Sequence, residues 1–307
     1  YSQALVEEAR KNNRIVVLNA DLILDTGLIP FKDEFPKRFI ECGIAEQDMV
    51  SQAGGIALRG LLPIVHSFAC FLSTRPNEQV YNNATELSKI IYVGSLVGLI
   101  PAGPGHSHQA VRDIAALTAI PGLTILEPSC ENEVSSLLNW ALNENILSSY
   151  IRLVSVPFNS LTGYKNNLIV KGRGTYIKIG ETLTVISSGP IFGELLSKVA
   201  EMFEANLKIK IQIIITPWLN SVDLDWYKVQ LNKSKFIAII DNHYIQGGLG
   251  EYLTSVFSQA GLLKNKYIKL IGLENKPKSG QQEEVMKFHE LDVDSIYNSL
   301  NFFIQTK

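Results

Sequence analysis

A polar stretch that follows a short apolar run contains a candidate acid for proton transfer. Residues 38–50, RFIECGIAEQDMV, pass from an apolar run through a glycine into a predicted helix, with Glu46 in its first turn. A carboxylate at a strand-to-helix junction lies at the mouth of an α/β sheet, where ligands bind, and the free N–H groups of the turn stabilise its charge. Taken alone, Glu46 is also consistent with an ordinary acidic residue at a helix start.

Three further segments supply groups that would complete a site around this acid. Because the carboxyl ends of parallel strands lie at one edge of a sheet, groups that follow different strands converge there. Phenyl rings offer a flat stacking surface, and a carboxyl group beside them is partly desolvated, which favours its neutral form. Such a site suits a planar, basic heterocycle whose chemistry begins with a proton on a ring nitrogen. In chain order the groups are Asp21, Glu46, the pair Phe68 and Phe71, and the loop histidines His106 and His108.

Strands that alternate with helices must position these side chains. Short apolar runs are typical of strands buried on both faces of a parallel sheet. They occur at 15–18, 39–40, 61–65, 90–100, 123–126 and 150–153, and again at 184–187, 209–215 and 236–240. We therefore predict an α/β protein of two domains, each a mostly parallel sheet flanked by helices. The predicted domains are residues 1–160 and 183–307, with a linker or hairpin at 161–182.

Size, composition and charge exclude several classes of protein. The chain has 307 residues, 46% hydrophobic and 19% charged, which predicts a globular protein with more than one core. Its net charge of −2 gives no attraction to nucleic acid, and no apolar run approaches the roughly 20 residues that span a bilayer. Cys42, Cys70 and Cys130 are widely spaced without a CxxC motif, so neither a metal site nor a disulfide framework is indicated, and a cytoplasmic location fits.

A glycine-rich turn, Gln-Gly-Gly-Leu-Gly at 246–250, is the main motif of the second half and follows Asp241 and His243. A turn of this kind at a helix start is able to cradle a phosphate. The alternative is a tight turn that lets the helix pack closely on the sheet. We favour the alternative, because an isolated glycine cluster is weak evidence of ligand binding.

The motifs of the first half resemble those of the transketolase family. Residues 35–50 resemble the family's core, and 1-deoxyxylulose-5-phosphate synthase shares the Gly-Ile-Ala-Glu-Gln at 43–47. Ser-Phe-Ala-Cys-Phe at 67–71, followed by Arg75 and Gln79, is similar to the family's pyrimidine-contacting segment. Gly-His-Ser-His-Gln at 105–109 is similar to its substrate loop. The resemblance covers residues 1–155, and 247–250 resemble the family's C-terminal domain.

This resemblance implies a thiamine-diphosphate enzyme that transfers a two-carbon ketol or acetyl unit to a sugar-type acceptor. Glu46 would hydrogen-bond N1′ of the aminopyrimidine ring. Phe68 and Phe71 would pack around that ring, with Phe71 as the stacked side chain. His108 would be the second catalytic group, in contact with substrate oxygens. The other implied contacts are Ile44 with the cofactor, and His106, Gln109, Asp25 and His66 with the substrate.

The family's diphosphate-binding motif is missing from the sequence. Transketolases bind the diphosphate and its metal through Gly-Asp-Gly and a downstream Asn, and this chain contains no Gly-Asp-Gly. The resemblance therefore implies the C-terminal subunit of a split transketolase. A separate N-terminal subunit would supply the diphosphate domain with Mg²⁺ or Ca²⁺, in an α2β2 heterotetramer, and this chain alone would be inactive.

The sequence also departs from the family at positions that bind phosphosugars. Pro104 stands in place of an Asp that touches a sugar hydroxyl, and Leu96 in place of a His. Ser155 replaces an Arg, and Asp25 replaces a Ser. Charged hydrogen bonds are worth roughly 1.5–3 kcal/mol each, so these changes would weaken phosphate binding. We therefore expect a substrate without a terminal phosphate at the usual place, such as a modified or nucleotide-linked sugar.

Two other functions share some of these features. The β subunit of a 2-oxoacid-decarboxylating dehydrogenase has the same domain pair and the glutamate, although Ile-Ala-Glu-Gln at 44–47 and the His-Gln loop favour the transketolase branch. A regulatory or scaffold subunit without turnover is the non-enzyme alternative. The presence of Glu46 with both phenylalanines argues against that alternative.

Overall fold

The computed structural model describes residues 1–158 and 169–306 and divides them between two α/β sheets. In the first sheet every described strand pairing is parallel. Its strands are β1 (Ile15–Asn19), β2 (Phe39–Glu41), β3 (Leu62–Phe68), β4 (Ile91–Ser95), β5 (Thr124–Leu126) and β6 (Ser149–Leu153). They stand in the order β2-β1-β3-β4-β6-β5.

Helices cover both faces of this sheet and bury its strands. The helices are α1 (Ser2–Lys11), α2 (Ile29–Glu34), α3 (Glu46–Leu58), α4 (Ala69–Leu72), α5 (Asn77–Thr85), α6 (Asp113–Leu117) and α7 (Glu131–Asn143). Leu5 of α1 and Leu137 of α7 share one hydrophobic cluster, whereas Val50 of α3 and Val80 of α5 belong to another. Strands β1, β3, β4 and β5 are buried along their whole length, as expected for apolar runs between two helical layers.

The second sheet is mostly parallel and has one antiparallel edge. Its order is β11-β10-β8-β9-β7, and only the β7–β9 pairing among the described strands is antiparallel. The strands are β7 (Thr175–Lys178), β8 (Leu183–Ser187), β9 (Gln212–Ile215), β10 (Phe236–Tyr244) and β11 (Tyr267–Leu273). The helices are α8 (Gly189–Leu207), α9 (Leu224–Leu231), α10 (Leu249–Gln259), α11 (Gln282–Phe288) and α12 (Val293–Gln305). Two mostly parallel sheets with helices confirm the predicted fold class.

Several element boundaries differ from the sequence prediction for local physical reasons. Strand β3 runs on to Phe68, so that His66 lies inside the sheet rather than beyond its edge. Strand β4 ends at Ser95 instead of residue 100, because Leu96 and Gly98 both have positive φ, which extended strands do not allow. Strand β7 lies within the predicted linker or hairpin at 161–182 but pairs with β9 of the second sheet. Residues 161–168 of that linker lie outside the described residues.

The glycine-rich turn at 246–250 is occupied by the protein's own carboxylates. The Gly247 N–H donates to Glu251 Oε2 at 2.8 Å, and the Gly250 N–H donates to Asp241 Oδ2 at 3.0 Å. A Cβ on Gly247 would lie 2.5 Å from the Cβ of Ala115 in the first domain. These contacts agree with the favoured reading of a tight packing turn.

A buried ion cluster joins the two domains at Arg152. Its guanidinium donates to Asp113 through Nε (2.8 Å) and Nη2 (3.1 Å), and through Nη1 to Glu127. The hydroxyl of Ser188, at the start of the second domain's α8, donates to Glu127 at 2.9 Å. Arg152 and both carboxylates are at most 1% exposed. Although burial lowers it, the two carboxylates hold the pKa of Arg152 above its usual value, so the guanidinium stays charged.

No helix in the described part of the chain is both long and apolar enough to cross a membrane.

Replacement of Arg152 by methionine is expected to lower the free energy of unfolding by about 3–5 kcal/mol, because it leaves two buried carboxylates without a cation. Urea unfolding followed by circular dichroism would measure the loss.

The matched control is Arg10→Met, which removes an exposed ion pair with Glu34 and is expected to leave the urea midpoint almost unchanged. An Arg152→Met chain as stable as this control would contradict the assignment of the cluster as a domain joint.

Candidate active site

Glu46 is the first residue of α3, just beyond the end of β2, and only 4% of its surface is exposed. Gly43, with φ of +70°, turns the chain between strand and helix. Glu41 holds this turn, because its Oε1 accepts from the N–H groups of Gly43 (3.0 Å) and Asp21 (2.8 Å). Its Oε2 accepts from Asn19 Nδ2 at 2.7 Å. Glu41, which the sequence did not single out, therefore ties the ends of β1 and β2 together at the turn that leads to Glu46.

Arg75 is the direct partner of Glu46. Nη1 of Arg75 lies 2.6 Å from Oε1 of Glu46, and the guanidinium carbon lies 3.8 Å from the centroid of the Phe71 ring. The Arg75 N–H donates to the Phe71 carbonyl at 2.9 Å, which brings Arg75 back over that ring. The sequence predicted a carboxyl group whose neutral form is favoured by phenyl neighbours. The structure gives that carboxyl an ionic partner instead.

An aromatic group completes the cluster around Glu46. The ring centroids of Phe68 and Phe71 lie 5.9 Å apart. The His108 ring is edge-on to both, at 5.9 Å from Phe68 and 5.2 Å from Phe71. Nδ1 of His108 lies 2.9 Å from the hydroxyl oxygen of Ser107, so Nε2 is the nitrogen left to face a ligand. The structure thus brings together Glu46, Arg75, Phe71, Phe68 and His108 from three chain segments.

Cys70, between the two phenylalanines in sequence, is not arranged as a nucleophile. Burial raises the pKa of its thiol to about 12, so the sulfur is protonated at neutral pH. Among the described residues, no group of three or more His, Cys, Asp or Glu side chains is arranged to hold a metal ion. The groups in this cluster that can take part in proton transfer are the Glu46 carboxylate and the His108 imidazole.

The remaining residues predicted for the site fall into two groups. Four are at the surface, and Ile44 is 73% exposed. The other two residues, His66 and Gln109, are buried, and their side chains form hydrogen bonds within the protein. His66 is fully buried, its Nε2 lies 2.6 Å from the hydroxyl of Tyr1, and burial lowers its pKa to about 3. The sequence predicted a substrate contact for His66, and the structure places its ring as a neutral group in the core, paired with Tyr1. The surface residues are Asp21, Asp25, Ile44 and His106.

Gln109 is also buried, and its side chain is bonded within the protein. Its Nε2 donates to the carbonyls of Leu99 (2.8 Å) and Lys278 (2.9 Å). The sequence assigned Gln109 to the substrate, but its donor group is used to connect two loops.

Two family models match the chain, and together they cover most of it. The model described as the transketolase pyrimidine binding domain matches residues 1–154. The model described as the transketolase C-terminal domain matches residues 172–296. Their order is the one that the sequence motifs predicted.

Curated relatives agree with these matches. A protein of Methanocaldococcus jannaschii that is named as a transketolase C-terminal section is 30% identical over 300 residues, which are 96% of this chain and 92% of that protein. The 1-deoxy-D-xylulose-5-phosphate synthase of Clostridium kluyveri is 27% identical over 305 residues. That alignment covers 98% of this chain but 47% of the synthase, so the chain spans about half the length of such relatives.

Solved structures share the fold. A chain described as a split gene transketolase, inactive beta4 tetramer, is 24% identical with a TM-score of 0.88, and the match covers 100% of this chain and 97% of that one. Transketolase from Leishmania mexicana is 17% identical with a TM-score of 0.81, over 98% of this chain and 44% of that protein. The two family models and the archaeal relative confirm the sequence resemblance, and the chain belongs to the transketolase family of thiamine-diphosphate enzymes, whose pyrimidine-binding and C-terminal domains it carries.

Proposed function

We propose that this chain is the catalytic C-terminal subunit of a two-chain transketolase-like enzyme that transfers a two-carbon ketol or acetyl unit to a sugar-type acceptor. The observation that carries the proposal is the buried carboxylate of Glu46, which Arg75 connects to the Phe71 ring and its aromatic neighbours Phe68 and His108. A regulatory subunit without turnover would not need a buried acid next to a stacking surface.

The described residues fit the aminopyrimidine of thiamine diphosphate. The guanidinium of Arg75 is planar and cationic, stacks on Phe71 and donates to Glu46. A protonated aminopyrimidine needs the same two contacts, a flat apolar surface and a carboxylate acceptor. The side chain of Arg75 is 41% exposed, so it is able to move into solvent when another planar cation arrives.

Each residue of the cluster then has a defined task. Thiamine diphosphate, when bound, supplies a nucleophilic carbon and a sink for the electron pair. Glu46 holds the hydrogen bond at N1′ of its pyrimidine and moves the proton there. Phe71 would stack on the ring, and Phe68, 5.9 Å from Phe71, would pack beside it. His108 presents Nε2 to the oxygens of the substrate.

A partner subunit completes the site in this proposal. Support comes from the missing Gly-Asp-Gly motif, from the archaeal relative named as a C-terminal section, and from the neighbour described as a split gene transketolase. A separate N-terminal subunit would bind the diphosphate with Mg²⁺ or Ca²⁺ in an α2β2 assembly, in the cytoplasm. The exposed Ile44, two residues before Glu46, would then contact the cofactor where the two subunits meet.

The substrate is proposed to lack a terminal phosphate at the family's usual position. Leu96 and Ser155 stand where the family resemblance has a His and an Arg, and the two residues are neighbours, since the Leu96 N–H donates to Ser155 Oγ at 3.1 Å. Asp25 adds a carboxylate at the surface. The cations that would neutralise a phosphate are thus absent from those positions.

The Glu46→Gln variant, assembled with the N-terminal subunit, is expected to lose at least about 100-fold in kcat because the amide cannot take up the proton. Turnover of hydroxypyruvate with an aldose acceptor would measure the loss. Analysis of the products formed from pyruvate would separate acetyl transfer to the aldose from the dehydrogenase alternative.

The control is Asp48→Asn, which changes an exposed acid in the same helical turn. Equal activity of the two variants would remove Glu46 from the mechanism and with it the proposed function.

The wild-type complex is expected to use phosphorylated sugars poorly. A single missing charged hydrogen bond, about 1.5–3 kcal/mol, corresponds to roughly a 10- to 100-fold loss in kcat/KM. Xylulose 5-phosphate with ribose 5-phosphate is to be compared with unphosphorylated donor and acceptor pairs. The Leu96→His, Ser155→Arg double variant should reduce the difference in kcat/KM between unphosphorylated and phosphorylated substrates. Unimpaired use of both phosphosugars by the wild type would refute the substrate proposal.

A further inference from the structure

The loop that carries His108 runs from residue 96 to residue 112, between β4 and α6. It has few hydrogen bonds of its own, among them Gly98 N–H to the Ala110 carbonyl (3.0 Å) and His108 N–H to the Gly105 carbonyl (2.9 Å). A connection of this length without helix or strand keeps one shape only if outside groups hold its backbone.

Asn242 of the second domain holds the first part of this loop. Its Oδ1 accepts from the Leu99 N–H at 2.9 Å, and the two residues are 4% and 0% exposed. The backbone of Gly98 packs directly on the same side chain, since a Cβ there would lie 2.0 Å from Asn242 Nδ2. Gly98 has φ of +79°, so both the backbone shape and the close approach require glycine.

The second domain also holds the last part of the loop. Gln109, adjacent to His108, donates one amide group to both the Leu99 carbonyl and the Lys278 carbonyl, the latter in the segment after β11. The Val111 carbonyl accepts from the Tyr244 N–H at 2.9 Å. Hydrogen bonds to the second domain therefore hold the loop both before and after residues 104–108.

We propose, on the basis of the function proposed above, that Asn242 is a positioning residue for the active site, through which the C-terminal domain sets the placement of His108 against Phe68 and Phe71. Asn242 does not touch the cluster itself. It fixes the Leu99 backbone, and Leu99 in turn accepts a hydrogen bond from Gln109, the residue next to His108. The ring of His108 is thereby held 5.2 Å from Phe71. An error of about 1 Å in a catalytic group is able to cost 100-fold in rate.

The test uses Asn242→Ala in the full chain and in the complex with the N-terminal subunit. In the full chain, the His108 ring lies close to two phenyl rings, so its protons are expected to have shifted NMR signals. The His108→Gln variant assigns these signals among the five histidines. We expect Asn242→Ala to move the His108 signal and to speed hydrogen exchange at the Leu99 amide. In the complex we expect kcat to fall roughly 10- to 100-fold. The Kd of thiamine diphosphate should change by less than about 3-fold, because Glu46 and Phe71 lie outside the loop.

A second pair of variants separates positioning from general destabilisation. Gly98→Ala would push the loop away from Asn242, whereas Gly60→Ala carries a similar backbone penalty at φ of +85° with nothing within 4 Å of the new methyl group. Gly98→Ala is expected to reproduce the effects of Asn242→Ala, and Gly60→Ala is expected to show none of them. An unmoved His108 signal in Asn242→Ala, or equal effects of the two glycine variants, would overturn the inference. Should the wild-type complex show no turnover, the proposed function fails, and the His108 signal and Leu99 exchange still decide the positioning role.

Discussion

The ion cluster of Arg152 with Asp113 and Glu127 is the constraint on which the architecture of the site depends. Three charged groups that are almost fully buried stabilise one another only while three chain segments keep their places. Asp113 begins α6, directly after the His108 loop, and Glu127 also accepts from Ser188 of the second domain. The same cluster therefore fixes the end of the loop and the join between the domains. Asn242 fixes the beginning of that loop, so contacts that involve the second domain hold both of its ends.

Much of the fold was predictable because its determinants are local. A continuous apolar run such as residues 15–18 specifies a strand buried on both faces wherever the chain places it, and the predicted run at 150–153 corresponds to β6 (Ser149–Leu153). Strand β11 was missed, and β7 was predicted only as part of a linker or hairpin. Most side chains in these edge strands are only partly buried, and such strands do not form continuous apolar runs. His66 misled the prediction for a related reason. A polar residue normally marks the end of a strand, but Tyr1 gives this imidazole a partner inside the core.

The site was predicted only in part, because some of its contacts depend on distant segments. The acid, the two phenyl rings and His108 could be recognised from residue types and spacing near strand ends. The pairing of Glu46 with Arg75 depends on how the chain turns after α4, and the Leu99 contact with Asn242 spans 143 residues of sequence. Interactions of this second kind arise from the packing of whole elements. They were therefore invisible in any window of the sequence, although they determine where the recognisable residues lie.

The ion pair between Arg75 and Glu46 has a thermodynamic consequence for any ligand of this carboxylate. A planar cation that reaches Glu46 replaces an existing cation instead of filling a bare anionic site, so its binding is an exchange reaction. The affinity that is measured is then the difference between two pairings, and it is weaker than the new contacts alone would give. Contacts made elsewhere on the ligand must therefore supply the net free energy of binding. Loss of those contacts would release the ligand, and Arg75 would pair with Glu46 again.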